Sequence, residues 1–183
     1  MPTIALAVEG GVNFIHIRAP NCSAGEIFEW GTALRSLGGD RAHLVINDRV
    51  DIAIVLGARF VQLPEGSLPL AVVRRNFPNL VIGASVHSLE ASIAAEQNGA
   101  DWLLLGNIFA TSTHPGRAGV GTQLIQRIRE TCGIPIVAIG GIDRDNVSMV
   151  RDAGATGVAV ISAILSADDP GSEARALYEA IVG

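Results

Sequence analysis

The feature that most limits what this chain can fold into is an alternation. Short aliphatic, β-branched runs stand at 13–17 (NFIHI), 43–47 (HLVIN), 59–63 (RFVQL), 80–85 (LVIGAS), 101–106 (DWLLLG), 134–141 (IPIVAIGG) and 157–162 (GVAVIS), with helical patterns between them. The runs are apolar throughout instead of alternating with polar residues, the pattern of strands covered on both faces. Helices are expected over 23–37, 49–56, 68–76, 88–98, 121–131, 144–153 and 172–181, the first opened by Ser23 and Glu26 at capping-box spacing. Residues 1–10 suit one further helix. Repeated βα units of this kind build a parallel sheet.

A finer repeat lies inside the first. Four runs are entered through a glycine turn (EGGVNFIHI, LGARFVQL, NGADWLLL, AGATGVAV), whereas those beginning near His43, Leu80 and Ile134 are not. Two alternating classes of strand are what a barrel filled from alternate strands produces. The fold expected is therefore α/β, a TIM-type (β/α)8 barrel. Only seven units can be counted against the eight of a closed barrel, and the first run belongs to the class that elsewhere comes second, so the lacking first strand is assigned to the N-terminus. An open doubly wound sheet is the alternative, but its GxGxxG fingerprint is missing.

Composition agrees. A single domain is expected over 1–183, and 49% hydrophobic with only 4% aromatic residues means that Ala, Val, Ile and Leu fill the interior. A net charge of −5 offers no basic surface, so no nucleic-acid partner is expected. Cys22 and Cys132 lack metal-ligand spacing, and no apolar run reaches the roughly 20 residues of a membrane span. No membrane partner is expected, and a reducing cytoplasm is the expected location.

Barrels carry their chemistry at the C-terminal ends of the strands. The residues there are Arg18; Asn47 and Asp48; Gln62 and Glu65; Ser85 and His87; Asn107, Thr111, Thr113 and His114; Gly140 and Gly141; and Val160, Ile161 and Ser162. The last two sets follow the final two strands, where barrels commonly bind phosphate through backbone N–H groups. Glycines without Cβ let an oxyanion approach the backbone, though a tight turn also explains them. Arg18 suits a phosphate or carboxylate as well as a rim salt bridge. Asp48 suits a magnesium ion as well as a helix N-cap. His16, opposite Ile15 and Ile17, is read as packed between barrel and helix.

The segments GVNFIHIR, LVINDRVDIA, VQLPEGS, IGASVHSLEAS, GADWLLLGNIFATSTHPG, IPIVAIGGI and GATGVAVISAI, as an ordered set, resemble the thiamine-phosphate synthase/TenI family from Gly10 to about Pro170. The resemblance implies a (β/α)8 barrel, a homodimer, and a phosphorylated thiazole as ligand. It implies Arg18, Asn47, Ser85, Thr111, Thr113, Gly140, Gly141, Val160, Ile161 and Ser162 as substrate and phosphate contacts. Synthases carry Arg-Glu-Lys where this chain has Arg18-Ala19-Pro20, a second magnesium aspartate where it has Ser67, and a lysine where it has His114. The words HIR, VQLP and SVHSLE are closer to the TenI branch, although Asn107 stands where TenI proteins have histidine. The expected activity is thus a TenI-like isomerase that aromatises a thiazole carboxylate phosphate, without cofactor or metal, with His114, Asn107 and His87 as catalytic candidates. A thiamine-phosphate synthase, a transferase using magnesium, is the alternative, and a non-catalytic or regulatory paralogue the third.

Overall fold

A computed structural model describes residues 1–110 and 119–183. Its elements run α1 (Pro2–Glu9), β1 (Phe14–Ile17), α2 (Ala24–Gly38), β2 (His43–Asn47), α3 (Val50–Leu56), β3 (Phe60–Leu63), α4 (Leu70–Asn76), β4 (Val81–Val86), α5 (Leu89–Gln97), β5 (Trp102–Gly106), α6 (Thr122–Thr131), β6 (Ile136–Ile139), α7 (Val147–Asp152), β7 (Gly157–Ala159), α8 (Ser162–Leu165) and α9 (Pro170–Val182). All seven strands are parallel, and each pairs with the next in sequence.

The sheet is curled into most of a barrel. Four strand spacings would separate β1 from β5 by roughly 19 Å in a flat sheet, yet the rings of Phe14 and Trp102 are 6.3 Å apart. Among the described residues, β1 and β7 are the two edges of the sheet. Outside it, α1 packs between α9 and α2 in the helical layer.

The outward face of the strands is aliphatic. Ile17, Leu44, Ile46, Val61 and Ile82 pack against Ile27, Leu34, Ala53 and Leu56, while Leu103, Leu105, Ile136 and Ala138 pack against Ile125, Ile128, Val147 and Val150. The inward face is different. At the starts of the strands, Phe14, His43, Phe60 and Trp102 form a ring cluster with centroid separations from 5.0 to 6.3 Å. Phe14, Phe60 and Trp102 are thus gathered inside the barrel, whereas Phe28, Trp30, Phe77 and Tyr178 are exposed.

Local chemistry accounts for the boundaries. The four glycines at the distinctive strand entries, Gly11, Gly57, Gly99 and Gly154, all have positive φ, so the repeat seen in the sequence is a backbone requirement. The capping box is complete: Glu26 N–H donates to Ser23 Oγ at 3.3 Å and Ser23 N–H donates to Glu26 Oε2 at 2.8 Å. Two expectations need correction. The run at 157–162 ends as a strand at Ala159, because Val160 and Ile161 turn into the short helix α8, which sequence reasoning missed. His16 does not pack between barrel and helix: its neighbours Ile15 and Ile17 take that side, and His16 faces the interior towards Asn47.

Replacing Ser23 with Ala should remove the cap and cost about 1 kcal/mol. Urea denaturation should show this as a lower midpoint with an unchanged slope.

Candidate functional site

Parallel pairing delivers every strand end to one rim. Arg18 follows β1 and is exposed; among the described residues it makes no ion pair, so the rim salt bridge considered for it is absent. Asn47 ends β2, half-buried, and Asp48 follows with φ 64°. Asp48 does not cap α3, whose N-cap is Arg49, paired with Asp51 at 2.6 Å. Its carboxylate instead accepts a hydrogen bond from Ser67 Oγ, which ties the loop after β2 to the loop after β3.

Asn47 also neighbours His16. His16 is exposed on an edge strand, yet the shift of its titration shows the ring losing much of its hydration to the protein around it. Loss of hydration dominates and lowers its pKa to about 4; the hydrogen bond with Asn47 opposes this, and Arg18 adds to it. The direction, towards neutral imidazole, agrees with a ring inside the barrel wall.

Ser85 faces inward from β4, where its Oγ accepts from Gln62 Nε2 at 3.0 Å. His87, exposed, bonds through Nδ1 to the Gly106 carbonyl, and its Nε2 lies 4.0 Å from Glu65. As that carbonyl only accepts, Nδ1 carries the proton. His87 therefore links the end of β4 to the end of β5 and to the loop after β3.

Asn107 follows β5, and its Nδ2 is buried with no hydrogen-bond partner among the described residues. Unspent donors of this kind are costly and point to a missing acceptor. Thr111, Thr113 and His114 lie outside the described residues.

Gly140 (φ 101°) and Gly141 (φ 66°) form the turn after β6. A Cβ on Gly140 would stand 2.6 Å from Asn107 Oδ1, and one on Gly141 2.6 Å from the Ala110 carbonyl. The protein itself thus demands both glycines, because the loop after β5 lies against them: Ile108 N–H donates to the Ile139 carbonyl at 2.9 Å and Phe109 N–H to that of Gly140 at 3.0 Å. Asn146, which sequence reasoning missed, donates from Nδ2 to the Gly141 carbonyl at 2.9 Å. Its only sequence signal was the local run of turn-forming residues at 143–146. Among the described residues, the N–H groups of Gly140, Gly141, Val160 and Ile161 take part in none of the turn, loop and cap hydrogen bonds. They stand on adjacent strand ends, since β6 pairs with β7.

No three His, Cys, Asp or Glu side chains among the described residues are grouped to hold a metal. Magnesium, however, takes one or two carboxylates and completes its shell with water and substrate phosphates. Asp48, exposed at the rim and held by Ser67, fits that ion in the company of a diphosphate. No helix among the described residues is long and apolar enough to cross a membrane.

The fold and rim define a (β/α) barrel with its polar groups gathered at the C-terminal ends of the strands. The sequence pattern of the family described as Thiamine monophosphate synthase matches residues 1–164, and the chain belongs to that family. It is 40% identical to the thiamine-phosphate synthase of Pyrococcus furiosus over 97% of this chain and 87% of the relative. It is likewise 40% identical to that of Natronomonas pharaonis over 98% of this chain and 86% of the relative. The solved structure of thiamine phosphate pyrophosphorylase from Pyrococcus furiosus superposes with a TM-score of 0.90 at 38% identity, covering 100% of this chain and 90% of that one. 3-Hexulose-6-phosphate synthase, at 19% identity and TM-score 0.77, shares the fold alone.

These relatives overturn the expectation of a TenI-like isomerase. That expectation rests on Pro20, Ser67 and a few words shared with the TenI branch. Similarity across almost the whole chain to proteins named as synthases outweighs those rim positions, where side chains can change at little cost to packing.

The His16 environment has a consequence in solution. Its pKa is lowered on folding, so between about pH 6.5 and pH 4 the unfolded chain binds more protons and stability declines as the pH falls. Urea titrations of the parent and His16→Gln should differ by a constant amount above pH 7 and show the steeper decline across that window only in the parent.

Proposed function

We propose that this protein is a thiamine-phosphate synthase, joining hydroxymethylpyrimidine diphosphate to a thiazole phosphate with release of diphosphate. The observation that carries the reading is the 0.90 TM-score and 38% identity to a thiamine phosphate pyrophosphorylase across the full length of the chain. The reaction makes a bond from the thiazole nitrogen to the pyrimidine's methylene carbon while the bond from that carbon to diphosphate breaks. Two anionic groups therefore need holding at once.

The N–H groups of Gly140, Gly141, Val160 and Ile161, which no loop hydrogen bond among the described residues uses, suit the thiazole phosphate. Arg18, exposed and without an acidic partner among the described residues, suits the diphosphate with its planar fork of donors. Asp48, with Asn47 beside it, is the group that would hold magnesium. When bound, the ion neutralises charge gathering on the departing diphosphate. Asn107 supports the same reading: its buried Nδ2, without a partner among the described residues, is a donor suited to a ligand acceptor.

The test is a coupling assay with both substrates and magnesium, followed by chromatography of thiamine phosphate. Product should form with the parent and disappear on chelation. Asp48→Asn should raise the magnesium concentration needed for half-maximal rate by about 10- to 100-fold or more, and Gly141→Asp should weaken thiazole phosphate binding by placing a charge and a side chain at the phosphate turn. A parent that binds both substrates and forms no thiamine phosphate overturns the reading.

A further inference from the structure

The inner wall of the barrel holds a hydrogen-bond chain with one direction. Gln62 on β3 is 1% exposed, and both ends of its amide are committed. Its Oε1 accepts from the Trp102 indole Nε1 at 2.9 Å, and its Nε2 donates to Ser85 Oγ at 3.0 Å. An indole N–H can only donate, so it settles which end of the amide is oxygen. The opposite end is then NH2 and has to donate to the serine. Ser85 Oγ spends a lone pair on Gln62, and its own proton points elsewhere. Among the described residues no protein group accepts it.

The chain is built in. Gly83 lies beside Gln62 in the ladder, and a Cβ there would overlap Gln62 Oε1 and Trp102 Nε1. Trp102 is steadied by Phe60, whose ring is 5.9 Å away, and by Phe14. These rings are uncharged and flat. They make a floor suited to a flat ring more than to a phosphate, whereas the unused backbone N–H groups stand at the ends of β6 and β7.

We propose that Trp102 and Gln62 are positioning residues that set Ser85 as a one-way hydrogen-bond donor to an acceptor atom on the ring of a bound heteroaromatic substrate. Under the synthase reading, on which the identity of that ring rests, it is the pyrimidine, because the thiazole nitrogen must stay free to form the new bond. The arrangement selects for a ring nitrogen lone pair and against an N–H at the same place, since two donors would then face each other.

Gln62→Glu tests the direction. A carboxylate accepts from both Trp102 and Ser85, which turns the serine proton inward and leaves only its lone pairs for the ligand. Trp102→Phe, a milder change, removes the donor that locks the amide. Calorimetry with hydroxymethylpyrimidine diphosphate should show binding about tenfold weaker for Gln62→Glu, the scale of one hydrogen bond, and a smaller loss for Trp102→Phe. Inorganic diphosphate, which has no ring, should bind both variants as it binds the parent. Ser85→Ala should weaken the parent about as much and cost little more in the Gln62→Glu background. The chain has two tryptophans, Trp30 and Trp102, so the indole signal missing in Trp102→Phe identifies Trp102; in the parent it should shift when the pyrimidine compound binds. Unchanged pyrimidine affinity in Gln62→Glu and Trp102→Phe overturns the proposal, as does an equal loss for inorganic diphosphate. A ring-specific loss in a protein that forms no thiamine phosphate supports the relay and removes the synthase reading.

Discussion

Parallel pairing of each strand with its successor is the constraint on which this structure depends. A parallel ladder cannot be closed by a tight turn, so each step must cross over through a helix and re-enter the sheet in the same direction. Every strand therefore ends on one rim, and residues far apart in the chain meet there. Arg18, Asp48, His87, Asn107 and Gly141 have no local reason to be neighbours. The ladder makes them so.

The two faces of the sheet divide the work. The outward face meets the helices through Ile, Leu and Val, and supplies most of the hydrophobic stabilisation. The inward face carries His16, Gln62, Ser85 and the aromatic cluster, where flat rings pack on one another and the Gln62 amide is held at both ends. Gly83 shows the cost of that lining: a residue has lost its side chain so that an indole and an amide can meet. Gly140 and Gly141 do the same for the loop after β5, and their freedom serves the protein's own packing as well as the phosphate turn proposed there.

Much of this was legible in the chain. The seven strands follow from continuous apolar runs, and the glycine-entered class follows from the positive φ that each of those turns requires. The capping box at Ser23 was visible because its two members lie within one turn. Asn146 and Trp102 were not visible as parts of a site, since each acts through a partner on another element. Val160 and Ile161 were misread as strand because β-branched residues look alike in a strand and in a turn that leaves it. The activity was misjudged for a related reason: rim residues such as the exposed Pro20 and the half-buried Ser67 lie outside the close-packed core, and so they are weak grounds for choosing between two reactions on one scaffold.

What the sequence by itself determined is the order and kind of the elements, because hydrophobic period, glycine turns and caps act over a few residues. It also determined that the polar groups follow the strands. Only the tertiary structure decided which way those groups face: His16 inward to Asn47 instead of outward to a helix, Asp48 to Ser67 instead of to a helix end, and Gln62 between an indole and a serine. Direction in a hydrogen-bond chain depends on which donor lies next to which acceptor across neighbouring strands. That adjacency is created when the sheet curls, and no segment of the chain contains it alone.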